Sequence, residues 1–324
     1  MTKSSFGWGI LGAGRIAARF ATDLKKLPQA KLVAVGSRAL DKAQAFADEY
    51  GFDRAYSSYA DMLADPAVDV VYVATPHPFH REHTLLCIDA GKAVLCEKPI
   101  EINAGRVIDM VRAARGKGVF LMEAMWTRFL PVIVQVQQWL TEGRIGEVRM
   151  LNVDFGFRSG WDPEGRLLNP ALAGGALLDV GVYVTAFASM VFGAPESVRA
   201  SAHLGETGVD EQTAMVLKYA GGQLALLSCA VRTNTPQQAF IQGADGAIHV
   251  PDFWHAITAT LKVNGQEPVE ASGEAGYQFE AAEAMACLAA GKTESDVIPL
   301  DESIAIAQTL QEARRQIGLK YPME

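Results

Sequence analysis

The sequence predicts a doubly wound α/β domain over residues 1–125, then an α+β domain with a large, mostly antiparallel open sheet over residues 126–324. Three observations predict this. Strand and helix signals alternate through the first 125 residues, the pattern of parallel strands joined by right-handed crossovers. Past Trp126 the strand signals lengthen and follow one another directly. At roughly 150 residues per domain, the length supports two buried cores.

Phe6–Leu11 is a short apolar run that ends in glycines, and residues 16–27 have helical spacing. A strand is expected at 31–35 and a helix at 41–50, with Asp41 and Gln44 at the two positions of a capping box. Residues 69–74 are almost continuously apolar, as in a strand covered on both faces. Residues 77–90 read as a helix stopped by Gly91, 93–96 as a buried strand, 103–117 as a helix and 119–122 as a strand.

In the second part, one more helix runs to about Leu140, and residues 147–157 alternate like a strand with one wet face. A loop rich in Gly, Pro, Asp and Arg spans 156–175, followed by a helix near 176–192. Strands are expected at 197–203, 212–219, 223–231, 239–243 and 258–263, with Gly221-Gly222 as a hairpin turn. Helices close the chain at 277–290 and 302–317.

Composition narrows the function classes. Hydrophobic residues make up 49% and charged residues 20%, a globular balance. The net charge of −8 argues against binding nucleic acid or an anionic membrane through general charge. Cys87, Cys96, Cys229 and Cys287 form no CxxC pair, and His77, His80 and His83 have no thiol at metal-site spacing, so neither a metal nor a disulfide framework is expected. The apolar stretch 174–195 is broken by Asp179, and its uncharged part, 180–195, is shorter than the roughly 20 residues of a membrane span. Reduced thiols and the absence of an export pattern lead to the expectation of a cytoplasmic protein.

The first strand runs into Gly12-Ala13-Gly14-Arg15-Ile16-Ala17, a G-x-G-x-x-A pattern between a strand and a helix. Glycines at Gly12 and Gly14 permit the tight turn and let backbone N–H groups reach a pyrophosphate, while Arg15 and Ile16 open a helix with a positive N-terminal end. This is the turn of a dinucleotide-binding Rossmann domain; the competing reading is a turn without ligand. An acid at the end of the second strand would bind the ribose of NAD. Residues 31–40 contain none and offer Ser37-Arg38 instead. A hydroxyl and a guanidinium suit a 2′-phosphate, so NADP is expected over NAD. Otherwise Arg38 stacks on adenine or is a solvated charge.

Two later strands lead into Thr75-Pro76-His77 and Glu97-Lys98-Pro99. Carboxyl ends of strands line the crevice of an open α/β sheet, which puts Thr75, Pro76, His77, Glu97 and Lys98 at the nicotinamide end. Taken alone, Lys98 reads equally well as a surface lysine. Further on, Asp179 and Tyr183 are i, i+4 in an apolar helix that follows Gly174-Gly175. A carboxylate there needs a partner or a function; the plain alternative is a core Asp–Tyr pair.

Together these residues resemble the Gfo/Idh/MocA family of NAD(P)-dependent oxidoreductases, over nearly the whole chain. Within the family, residues 92–99, 120–128 and 174–183 are similar to the branch of dimeric dihydrodiol dehydrogenases and NADP-dependent D-xylose dehydrogenases. The resemblance implies Lys98, Asp179 and Tyr183 as the catalytic group. Tyr183 is then the acid/base, Lys98 stabilises developing negative charge and Asp179 orients the pair. It implies contacts of Trp126 and Arg128 with cofactor or substrate. His77 and His80 are expected at the nicotinamide ribose, the alternative being that they cap and line the helix start, and His83, one turn further on, is expected to be structural. Phe155, Trp254 and Phe279 are expected at the substrate, the plain alternative for Trp254 and Phe279 being aromatics packed in a core, and the C-terminal sheet is expected to build a homodimer or higher homo-oligomer.

Two departures stand out. Ala17 replaces the third glycine, and a start this close to the first strand implies no N-terminal arm and an exchangeable cofactor. The loop 155–172, with Arg158, Trp161, Asp162 and Arg166, matches least. The expected reaction is hydride transfer between NADP and a CH–OH or carbonyl carbon of a sugar, polyol or cyclic trans-diol. The alternatives are another sugar or inositol oxidoreductase on the same scaffold and a non-catalytic NADP sensor. An intact Lys98, Asp179 and Tyr183 set speaks against the sensor.

Overall fold

In the computed structural model, which describes residues 3–324, the chain forms two compact units. The first comprises the chain up to Glu101, Gly105–Trp126 and Gly276–Ser303; the second comprises Ile102–Ala104, Thr127–Ala275 and Ile304–Glu324. The sequence reading divides the chain once, after residue 125, whereas here the segment Gly276–Ser303 returns to the first unit. Its anchors are the Tyr277 N–H, which donates to Asp23 Oδ2 at 2.8 Å, and the Thr293 carbonyl, which accepts from the Leu121 N–H at 3.1 Å.

The first unit is built on β1 (Phe6–Leu11), β2 (Ala30–Gly36), β3 (Arg54–Tyr56), β4 (Val70–Val73), β5 (Ala93–Glu97) and β6 (Leu121–Ala124). They form one parallel sheet in the order β3-β2-β1-β4-β5-β6. Strands β1, β4, β5 and β6 are buried at every residue, because helices cover both faces. The connecting helices are α1 (Arg15–Leu24), α2 (Leu40–Tyr50), α3 (Tyr59–Ala64), α4 (His80–Asp89) and α5 (Ala104–Lys117). The returning helix Gln278–Ala289 packs on α1.

Several local expectations need correction. α2 begins at Leu40, so Asp41 lies inside the first turn; its Oδ1 accepts from the Lys42 N–H, and the Gln44 amide donates forward to Asp48. The expected capping box is therefore absent. α1 stops at Leu24, because Pro28 cannot continue a helix. Strand β6 starts two residues later than expected. The sequence carries no signal for β3 or α3: three residues of strand show no period, and α3 is one and a half turns capped by Ser58, which accepts from the Asp61 N–H.

The second unit opens with α6 (Pro131–Thr141) and contains α7 (Val182–Phe192) and the larger part of the closing helix Leu300–Ile317. Its strands are β7 (Val148–Gly156), β8 (Ser197–Leu204), β9 (Asp210–Lys218), β10 (Leu224–Ala230), β11 (Ala239–Gly243), β12 (Gly246–Val250), β13 (Thr258–Val263) and β14 (Val269–Ser272). They form one eight-stranded sheet in the order β14-β13-β12-β11-β7-β10-β9-β8. Every pairing is antiparallel except β7 with β10. Gly222, at φ +87°, makes the turn from β9 to β10. β12 and β14 escaped the sequence reading because they are short and rich in Gly, Ala and polar residues.

Alternation along these strands sets two faces. Leu151, Val153, Phe155, Met215, Leu217 and Leu227 are buried, and α7 packs on β7 and β10. Met150, Val216, Leu224 and Leu226 stay exposed between them. The segment Pro170–Phe192 is long and apolar enough to cross a membrane, but 78% of its most apolar window is inside the protein, as in a core helix.

Candidate active site

The connections of β1 and β4 leave in opposite directions, so their carboxyl ends flank a crevice. Gly12 turns the chain there at φ +97°, with the Ala74 carbonyl oxygen 3.0 Å from where a Cβ would stand. A side chain would be strained and crowded at that point. A Cβ on Gly14 would meet nothing within 4 Å, so space lies open over the turn. Arg15 and Ile16 begin α1, whose first turn carries neither an acidic residue nor a side-chain cap. Its positive end is available to an anion, as a dinucleotide pyrophosphate requires. At the end of β2, Ser37 is buried; Arg38 is exposed and pairs with no carboxylate among the described residues.

The ends of β4 and β5 are joined by histidines. Thr75 Oγ1 lies 2.9 Å from His83 Nδ1. His80 is fully buried, with Nε2 2.7 Å from the Thr75 carbonyl oxygen and Nδ1 2.9 Å from that of Pro99. A neutral imidazole has one N–H and donates to one of the two at a time. Burial pulls its pKa down to about 4, against the pull of both carbonyls, and keeps the ring neutral. His77, 7% exposed, meets the His80 ring edge-on, and Pro76 is exposed. Thus His80 lies behind the rim and ties its two halves together, while His77 lies nearer the surface.

The Lys98-Pro99 peptide bond is cis, and Lys98 is half-buried. Its N–H donates to Glu97 Oε2 at 3.1 Å, while Glu97 Oε1 accepts from the Tyr72 hydroxyl. Glu123 Oε1 accepts from the Ile100 N–H at 3.0 Å. Beneath Glu97, Glu280 is fully buried; burial first, then the Glu97 charge, pushes its carboxyl well above the usual range. Trp126 is buried and stacks on Tyr277 at 4.5 Å, and Phe279 is half-buried on the helix Gln278–Ala289.

In the second unit, the helix with Asp179 and Tyr183 begins with a π-helical turn, Leu177–Gly181, before α7. At about 4.4 residues per turn, positions four apart still share a face, and such turns recur at functional sites. Asp179 is 6% exposed and Tyr183 7%. Asp179 is ion-paired with Arg166 from the preceding loop. Asp210 Oδ2 accepts from the Leu177 N–H at 2.8 Å and from the Thr213 hydroxyl at 2.7 Å. Burial raises that carboxyl to about 7 against these bonds. A Cβ on Gly175, at φ +116°, would stand 2.2 Å from Asp210 Oδ1. The Tyr321 hydroxyl donates to the Gly174 carbonyl at 2.7 Å. The glycine pair is therefore needed where the turn closes over Asp210.

Tyr183 faces Phe155, with ring centroids 5.4 Å apart, and Phe155 stacks on Trp254 at 5.1 Å. The three rings form one aromatic row. Arg128 is 3% exposed and donates to the Ala186 carbonyl at 2.9 Å, so this guanidinium braces α7. The sequence reading did not single out Asp210, or Arg166 as the partner of Asp179. One sequence carries no local signal for Asp210, which opens a strand; Arg166 was visible only as one basic residue of an irregular loop.

Comparison with known proteins covers both units. Residues 6–125 match the GFO/IDH/MocA oxidoreductase family, NAD-binding Rossmann fold, and residues 133–249 match the GFO/IDH/MocA C-terminal domain. The chain is 41% identical to trans-1,2-dihydrobenzene-1,2-diol dehydrogenase of Mus musculus, over 98% of each chain. It is similar in structure to an aldose-aldose oxidoreductase from Caulobacter crescentus solved with glycerol, at TM-score 0.88 and 25% identity, over 96% of this chain and 97% of the other. A 3-ketoreductase from Actinomadura kijaniata solved with NADP and TDP-benzene gives TM-score 0.84 and 25% identity, over 97% and 98%. The chain therefore belongs to the GFO/IDH/MocA oxidoreductase family.

Proposed function

We propose that this protein is an NADP-dependent dehydrogenase that acts on a CH–OH carbon of a sugar, polyol or cyclic trans-diol. The observation that carries the reading is the Gly12–Gly14 turn. It leaves open space over an uncapped helix end at the switch point of a parallel sheet. Full-length similarity to a trans-diol dehydrogenase and structural likeness to an aldose oxidoreductase support the substrate class. Exposed Arg38 beside Ser37, with no acid at the end of β2, supports NADP.

Bound NADP supplies the nicotinamide carbon that exchanges hydride with the substrate. In this reading the α1 N-terminus holds the pyrophosphate, and Ser37 and Arg38 hold the 2′-phosphate. Thr75, Pro76, His77 and Glu97 form the rim at the nicotinamide end, with His80 bracing it. Tyr183 takes the hydroxyl proton during oxidation and returns it during reduction. The Lys98 ammonium stabilises negative charge that develops on the substrate oxygen. Asp179 orients Tyr183 and is itself held by Arg166. Phe155 and Trp254 offer an apolar surface to the substrate ring; Trp126, Arg128 and Phe279 are the further residues assigned to cofactor or substrate in this reading.

The exposed apolar face of the eight-stranded sheet, with Met150, Val216, Leu224 and Leu226, supports a homodimer. Four buried free thiols support a cytoplasmic location. Purified protein assayed with NADP and NAD against pentoses, hexoses and cyclic diols tests the whole reading. Turnover with NADP on at least one ring substrate is expected; tight NADP binding without any turnover would leave a dinucleotide sensor.

A further inference from the structure

Gln237 lies in the linker between β10 and β11, at φ +61°, a left-handed conformation that a long side chain rarely adopts. Every polar group it has is engaged. Its N–H donates to Asp154 Oδ2 at 2.6 Å, and its carbonyl accepts from the Phe253 N–H at 3.1 Å. The side-chain Nε2 donates to the Gly156 carbonyl at 2.7 Å, and Oε1 accepts from Trp254 Nε1 at 2.7 Å. Asp154 adds a second bond, from the Gln238 N–H at 3.3 Å. One residue thus ties the end of β7 to the turn Phe253–His255. A non-glycine residue persists at positive φ only where its surroundings over-determine it, and such positions gather at functional sites.

The consequence falls on Trp254. Its indole is held by its own N–H and lies nearly parallel to Phe155, at an interplanar angle of 17°. Phe155 in turn meets Tyr183. A free indole would rotate; this one is kept flat at the end of the row. A flat apolar plate favours a ligand with an apolar ring face and offers little to an open-chain polyol.

We propose that Gln237 is a positioning residue for substrate selection: it holds the Trp254 plate beside Phe155 and so favours cyclic over open-chain alcohols. This inference rests on the dehydrogenase reading given above. Gln237→Gly keeps the backbone conformation at no strain and removes both side-chain bonds. Gln237→Glu keeps an acceptor for the indole N–H and loses the donor to Gly156.

Steady-state kinetics with NADP would compare D-xylose and trans-cyclohexane-1,2-diol with glycerol as the open-chain control. For Gln237→Gly, KM for the two ring substrates should rise roughly five- to tenfold, as for a lost hydrogen bond, with kcat within about threefold. KM for glycerol should stay unchanged, and Gln237→Glu should recover part of the loss. In protein labelled with 5-fluorotryptophan, the Trp254 19F resonance, assigned by Trp254→Phe, should move in Gln237→Gly. An unmoved resonance would overturn the proposal, as would an equal loss on all three substrates or a loss confined to kcat. If the wild type turns over none of these substrates, the dehydrogenase reading fails on that result. The 19F shift and the ring-substrate affinity of the NADP complex by calorimetry then decide Gln237 alone: both must change in Gln237→Gly, and either staying fixed overturns it.

Discussion

Arg166 is ion-paired with Asp179, and the two side chains differ sharply in exposure, 44% against 8%. The pair fastens the irregular loop before the glycine turn to the helix that carries Tyr183. It also explains how an aspartate is tolerated in a helix otherwise made of apolar residues. Its strength lies between the exposed limit, at most about 1 kcal/mol, and the roughly 3–5 kcal/mol lost when a fully buried pair is broken.

A double-mutant cycle with Arg166→Ala and Asp179→Asn should therefore give a coupling energy of about 1–2 kcal/mol in denaturant unfolding. Additive losses would show that the pair contributes nothing beyond its separate side chains.

Arg38→Ala should weaken NADP roughly ten- to a hundredfold, from the loss of one charge-assisted contact of about 1.5–3 kcal/mol. NAD binding should change far less. Calorimetric titration with both cofactors checks this, and equal losses would remove Arg38 from the 2′-phosphate.

Tyr183→Phe deletes one hydroxyl from a buried helix, so folding and NADP affinity should survive. Turnover should fall about 10²–10⁴-fold, the usual contribution of a positioned acid/base. Lys98→Met should also lose turnover, and the double variant should lose less than the product of the two, since both are proposed to act on one oxygen. Near-normal turnover by Tyr183→Phe would leave Tyr183 as a packing residue.

Asp210 predicts a pH dependence of stability. Its folded pKa, about 7, lies above the ordinary 3.8 because the group is buried. Between these values the folded state binds the proton and the unfolded state does not, so stability falls as pH rises from about 4 to about 7. The charges facing it are Arg314, which is ion-paired with Glu324, and Leu177 and Thr213 donate to it; the buried Tyr321 and Cys229 side chains are close by. A shift of this size corresponds to roughly 3–5 kcal/mol. Asp210→Asn keeps an acceptor and cannot ionise, so wild-type Tm should drop relative to Asp210→Asn across that window. Parallel Tm curves would place the titration elsewhere.

Light scattering at micromolar concentration should give twice the chain mass. Val216→Glu together with Leu226→Glu, on the exposed face of the sheet, should give the single mass with the fold intact by circular dichroism. A wild-type monomer would rule out the sheet-face dimer.

Much was legible in the sequence because it is written locally. The glycine turn after β1, the buried strands and the missing acid after β2 depend on neighbours within a few residues, where steric freedom and period show directly. Short elements were lost for the same reason: β3, β12 and β14 are too brief for a period to rise above chance. The capping box at Asp41 and Gln44 failed because the helix began one residue earlier, a choice that packing of α2 on the sheet can settle and local capping cannot.

By itself, then, the sequence determined the succession of the longer strands and helices, the dinucleotide turn and the identity of Lys98, Asp179 and Tyr183 as candidates. Only the tertiary structure decided the long-range partners around them. Arg166 reaches Asp179 across 13 positions, Asp210 reaches the Leu177 N–H across 33, and the Asp154 carboxylate reaches the Gln237 backbone across 83. Such partnerships follow from how loops, helices and strands pack in space, and a single chain read in order carries no local pattern for a contact whose two halves lie that far apart.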